Sequence, residues 1–254
     1  MGLVAVAGDV CTTTAVVLAA SWPTDDALLV DADPWGGDLA AWFDLTTIPS
    51  LSTVVTRAGD RTWGEVEPHV RTTRGGIRVI TGAASMAEAR RAVEEADRVV
   101  VPALTSPDAP TVIVDTGRLT TPPAHPFVLA AGVTLVVHRQ APQSVGAAAI
   151  RIQRLAEQLE HLATTHSELV VALVGQRPFG ADDVTRFLHE AVGQIDVIAL
   201  PDDALAAAVL AGRPGVSARR LRRLPLMRAG HELAALLRSR LISSETGTNV
   251  LEAS

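Results

Sequence analysis

Residues 3–20 read LVAVAGDVCTTTAVVLAA, and this stretch decides the fold. Its first five residues, Leu3–Ala7, form a continuous apolar run, as expected of a strand covered on both faces. A glycine-bearing turn follows at Gly8–Val10, and Thr12–Ser21 then reads as a helix opened by three threonines. Such a turn offers free N–H groups and the positive end of a helix dipole to an anion. Phosphate is the anion that suits it.

The same rhythm continues outward from this unit. Further strands are expected at Ala27–Val30, Ile77–Ile80, Thr111–Val114, Val133–Val137, Leu169–Val174 and Val197–Leu200. Helical periodicity covers Met86–Ala96, Gln143–His161, Ala181–Ala191, Asp203–Ala211 and Leu226–Leu241. In the longest, Val145, Ala148, Ile152, Leu155, Leu159 and Leu162 trace one apolar face. Buried strands alternating with helices predict an α/β fold, a doubly wound, mostly parallel sheet of about seven strands flanked by helices. Residues 1–242 read as a single domain, and the polar tail 243–254 as disordered. Thr46–Arg74 has too weak a period to assign.

Composition narrows the class. Hydrophobic residues make up 48% of the 254, enough for a sizeable core, yet only 3% are aromatic and there is no Tyr. The core must therefore be built from Ala, Val and Leu. The single cysteine, Cys11, excludes an intramolecular disulfide and suits a reducing compartment. No signal-peptide pattern and no span-length apolar run is visible, so a cytoplasmic protein is expected, with peripheral membrane contact left open. The net charge of −6 argues against a globally nucleic-acid-like field. All 22 basic residues are Arg and none is Lys.

Two further segments belong with the first loop. Residues 28–38, LLVDADPWGGD, place Asp31 and Asp33 at the end of the second strand. Residues 111–117, TVIVDTG, end a buried strand in Asp115, from which a carboxylate reaches a nucleotide-bound magnesium. In this order, at strand ends, the three segments resemble those of the ParA/MinD group of deviant P-loop ATPases. Within that group the chain is most similar to an actinobacterial branch related to TadZ and CpaE, which localise secretion and pilus machinery. The resemblance runs from about Gly2 to Leu241 and takes in the GQRP turn at Gly175–Pro178, PDD at Pro201–Asp203 and the late arginine stretch. The receiver-like N-terminal domain of TadZ and CpaE is expected to be absent.

The resemblance implies ATP and magnesium as ligands. Gly8, Asp9, Val10, Cys11, Thr12 and Thr13 would form the phosphate loop, Thr12 and Asp115 would hold magnesium, and Asp33 or Asp31 would orient the attacking water. Gln176 and Pro201 would lie beside the base, Gln176 replacing an asparagine amide that this chain carries only at Asn249. The loop departs from the family pattern K-G-G-x-G-K-T-T. Val6 and Cys11 occupy the lysine positions, Val10 the last glycine, and Asp9 adds a carboxylate to the cradle. A charge-assisted hydrogen bond is worth roughly 1.5–3 kcal/mol, and two are gone. A like-charge pair at about 4 Å costs about 4 kcal/mol at an effective dielectric constant of about 20. Weak or lost ATP binding follows. Cys11 is either a reactive thiol at a helix N-terminus or a small filler of the lysine's place.

Residues 211–230 carry Arg213, Arg219, Arg220, Arg222, Arg223 and Arg228 and no acid. A solvated face, nonspecific DNA and an anionic membrane surface are the open readings. Trp35 is either a partner contact or part of a core or lid. Together these features lead to a degenerate ParA/MinD-like homodimer that localises or assembles a secretion or pilus system. A slow Mg-dependent ATPase switch and a DNA-binding partition protein are the alternatives.

Overall fold

Apolar runs buried on both faces have one way to satisfy their backbone, which is to pair with each other. In the computed structural model, which describes residues 2–24, 26–119, 125–141, 143–164, 168–214 and 216–252 (side chains of 245–252 apart), they do so in one sheet. The chain begins with β1 (Leu3–Gly8), α1 (Cys11–Ser21) and β2 (Ala27–Asp31). Short helices α2 (Leu39–Trp42), α3 (Leu51–Arg57) and α4 (Trp63–Val66) lead to β3 (Arg71–Thr72) and β4 (Arg78–Ile80). Then follow α5 (Met86–Leu104), β5 (Thr111–Asp115), α6 (Pro126–Leu129) and β6 (Val133–Arg139). The remainder is α7 (Val145–Ala163), β7 (Leu169–Val174), α8 (Ala181–Val192), β8 (Asp196–Leu200), α9 (Ala204–Leu210), α10 (Ala218–Leu221) and α11 (Pro225–Glu252).

Strand order is β3-β4-β2-β5-β1-β6-β7-β8, with only the β3–β4 pair antiparallel. The expected doubly wound, mostly parallel sheet is therefore present. It has eight strands among the described residues rather than about seven, because the two-residue edge strand β3 lies in the unassigned stretch. Two residues carry no periodicity to read. The polar segment after residue 242 continues α11 helically to Glu252, where no ordered structure was expected, and residues 253–254 lie outside the described residues.

Alternating strand residues feed two cores. Leu3, Ala5, Leu28, Val30, Val112 and Val114 face α3–α8, whereas Val4, Val6, Leu29, Ile113 and Leu135 face α1, α9 and α11. Local caps start several of the helices. Ser85 Oγ accepts from the Glu88 N–H at the start of α5, and Asp203 Oδ1 accepts from the Ala206 N–H at the start of α9. The register has a chemical consequence. Val6 pairs with Asp115, and Asp115 with Asp31, so two carboxylates end adjacent strands at the same level. The chain leaves β1 toward β2 on one side, whereas β5 crosses to β6 on the other. The carboxyl end of β1 is thus the topological switch point, where ligands of open α/β sheets sit.

Candidate functional site

The turn after β1 is held down from both sides. The Gly8 N–H donates to Gly117 O (2.9 Å) and the Asp9 N–H to Val137 O (2.8 Å). Gly8 has φ +115°, and a Cβ there would stand 2.2 Å from Val137 O, so no other residue fits. Val10 follows with φ 45° and ψ 34°, a left-handed conformation that costs a β-branched residue about 1–2 kcal/mol. α1 starts at once, and its first-turn N–H groups, having no intrahelical acceptors, face outward.

In front of them lies a cleft of about 240 Å³, lined by Gly8, Val10, Cys11, Thr12, Thr13, Asp33, Trp42, Gly117 and Arg118. Six of these were read from the sequence as site residues. Trp42, Gly117 and Arg118 were not, although Gly117 and Arg118 directly follow the DT of the strand-end motif. Gly117 has φ +70°, and a Cβ there would meet Asp33 Cγ at 2.5 Å, which ties the β5 turn to the β2 turn.

Asp9 is absent from the lining. Its carboxylate, expected inside the cradle, has Oδ2 accepting from Arg151 of α7 (2.7 Å) and from the N–H of Arg139 at the end of β6 (3.0 Å). It is paired with a guanidinium rather than presented to the cradle. Cys11 is buried and its thiol donates to Val6 O. Burial, then the neighbouring Asp115 carboxylate, push the thiol well above its ordinary pKa. It is a packed, protonated filler.

Asp115 is fully buried beneath the cleft, beside the Cys11 and Thr12 side chains, and burial raises its pKa. Oδ1 accepts from the Gly117 N–H (3.1 Å), whereas Oδ2 has no hydrogen-bond partner among the described residues. Asp31, one strand over, is equally buried. Desolvation, then Asp115, push its pKa up to about 7 against weak backbone bonds from Asp33 and Leu39. Asp33 is half-buried and accepts from the Trp35 N–H (2.8 Å); burial raises its pKa and Arg118 partly offsets this. Trp35 itself is 61% exposed. Gln176 and Pro201 follow β7 and β8, outside the cleft lining. All six arginines of the late stretch are exposed, and none makes an ion pair with a described residue.

This fold has known counterparts among solved structures. A ParA family ATPase from Chlorobium tepidum superposes with TM-score 0.66 at 15% identity, covering 92% of this chain and 97% of that one. The fold is that of the ParA and MinD ATPases. The septum site-determining MinD of Pyrococcus horikoshii, complexed with Mg-ADP, gives TM-score 0.65 at 13% identity over 94% and 97% of the two chains. An McdA variant of Cyanothece in complex with ATP gives 0.61 at 14% identity over 92% and 96%. No family model matches the sequence, and no curated protein matches it.

Magnesium and nucleotide, which the ParA/MinD fold implies, can be tested against the residues present. The Thr12 hydroxyl and the orphaned Asp115 Oδ2 are hard oxygen donors side by side, and they fit magnesium. The outward N–H groups of α1 fit a phosphate. The N–H groups of Gly8 and Asp9 are already engaged, and the loop supplies no cation.

Proposed function

We propose that this chain is a degenerate ParA/MinD-like protein acting as a localisation or assembly factor for a secretion or pilus system, with lost or weak ATP binding. The observation that carries this reading is Cys11. The place of a phosphate-clamping lysine is taken by a buried thiol bonded to Val6 O, in a fold otherwise complete. The secretion or pilus role rests on the resemblance of the sequence to the TadZ/CpaE branch. A homodimer facing across the cleft would be the working form. Val10 on the cleft wall and Trp35, two residues after Asp33, are both exposed and would supply apolar area in place of nucleotide to hold that dimer. The arginine stretch would meet an anionic surface, either membrane or DNA.

Calorimetric titration with ATP and magnesium, with Thr12→Ala as control, tests the binding half. Binding no tighter than millimolar is the expected result, and micromolar binding that Thr12→Ala abolishes defeats the pseudo-ATPase reading. Light scattering at tens of micromolar tests the other half. A strict monomer that binds no membrane, DNA or secretion component sinks the assembly role.

The orphaned Asp115 Oδ2 beside Thr12 favours a second reading, a slow Mg-dependent ATPase switch. It requires phosphate release that both Asp33→Ala and Thr12→Ala abolish. The unpaired arginines favour a third, a DNA-binding partition protein. It requires affinity that falls steeply with salt and is weakened by charge removal at Arg219, Arg220, Arg222 and Arg223.

A further inference from the structure

Among the residues that line the cleft there is one cation, Arg118. It is exposed, and among the described residues it makes no hydrogen bond or ion pair, although its charge is felt at Asp33. Its place is fixed by its neighbour. The Gly117 carbonyl accepts the Gly8 N–H, so the backbone entering Arg118 is bonded directly to the loop. Arg118 lines the same cleft as Cys11, Thr12 and Thr13 at the start of α1. Behind the cleft-lining Cys11 and Thr12 lies the fully buried Asp115, whose Oδ2 has those two side chains beside it but no well-formed hydrogen bond to a described residue. Asp115 and the Thr12 hydroxyl would be the residues to hold a cation carried in by a phosphate ligand.

We propose that Arg118 is the phosphate-clamping cation of this cleft, supplied from the β5 turn in place of a lysine from the loop. A guanidinium suits this task, because its planar fork can bond two phosphate oxygens at once. The proposal rests on the cleft being the loop site of the fold, but not on the dimer or on the arginine stretch. It makes nucleotide binding weak rather than absent. One Arg takes the place of two lysines, and two loop N–H groups stay engaged.

The probes are inorganic pyrophosphate and ADP, each with magnesium, titrated by calorimetry. Arg118→Gln should weaken both ligands by the same factor, about 10- to 100-fold, because Arg118 acts on the group they share. Arg118→Lys, which keeps the charge but loses the fork, should fall between Arg118→Gln and wild type. Arg98→Gln, which makes the same change in net charge on the exposed surface of α5, should bind as wild type. Unchanged affinity in Arg118→Gln overturns the proposal. So does equal weakening by Arg98→Gln, or a wild type that takes up no pyrophosphate at millimolar concentration. None of these results touches the assembly role, which the oligomeric state decides separately.

Discussion

Two regions of this molecule look made for anions, and they are built on opposite plans. The cleft at the end of β1 has one arginine on its wall, Asp33 beside it and Asp115 beneath it; its fitness comes from backbone N–H groups, a helix start and close glycine contacts. The stretch from Ala211 to Gly230 has six exposed arginines and no acid, and its fitness is charge alone. Geometry of the first kind is specific and intolerant of change. Charge of the second kind is tolerant and screened by salt.

The comparison breaks most visibly at Gly8. Gly8→Ala would drive a Cβ against Val137 O and should cost more than about 3 kcal/mol in urea denaturation. A variant as stable as wild type would mean the loop is far looser than the cleft requires.

Asp31 gives the next largest effect. It ionises near 3.8 when exposed and near 7 in the fold, so between these values the native state holds the extra proton. Its contribution is full below about pH 4, is lost as pH rises to about 7, and is flat above, at a slope of up to about 1.4 kcal/mol per pH unit. Asp115, raised in the same direction, adds to it. Denaturation midpoints across this range should show the decline in wild type and a flatter profile in Asp31→Asn. Equal slopes would remove Asp31 as the source.

Val10→Gly should stabilise by about 1 kcal/mol, since the left-handed conformation ceases to carry a β-branched cost. Destabilisation would show that Val10 contributes packing instead. The smallest effect on stability is expected in the other region. Arg222→Gln should change unfolding free energy by less than about 0.5 kcal/mol. If the stretch binds duplex DNA, the same change should reduce the magnitude of the log–log salt slope by about 0.9.

Much of the fold could be read because its signals are local. Continuous apolar runs such as Thr111–Val114 carry their own evidence of double-sided burial, and the 3.6-residue period of α7 is visible without a neighbour. β3 escaped because two residues have no period, and α6 because four barely make a turn. The loop residues were legible for the same local reason. Arg118 and Trp42 were not, since one enters from the β5 turn and the other from α2, and only the fold brings them to the loop. Asp9 shows the limit from the other side. Adjacency in sequence put its carboxylate in the cradle, but Arg151, 142 positions away, draws it out.

Cys11 has a use beyond its packing. It is the chain's only cysteine and lies buried in the floor of the cleft, as the first residue of α1. A thiol reagent can reach this protein only when that floor opens, so the labelling rate is a one-site clock for local unfolding at the start of α1. Its rate with and without a phosphate ligand would time the breathing of the cleft directly, with no introduced probe.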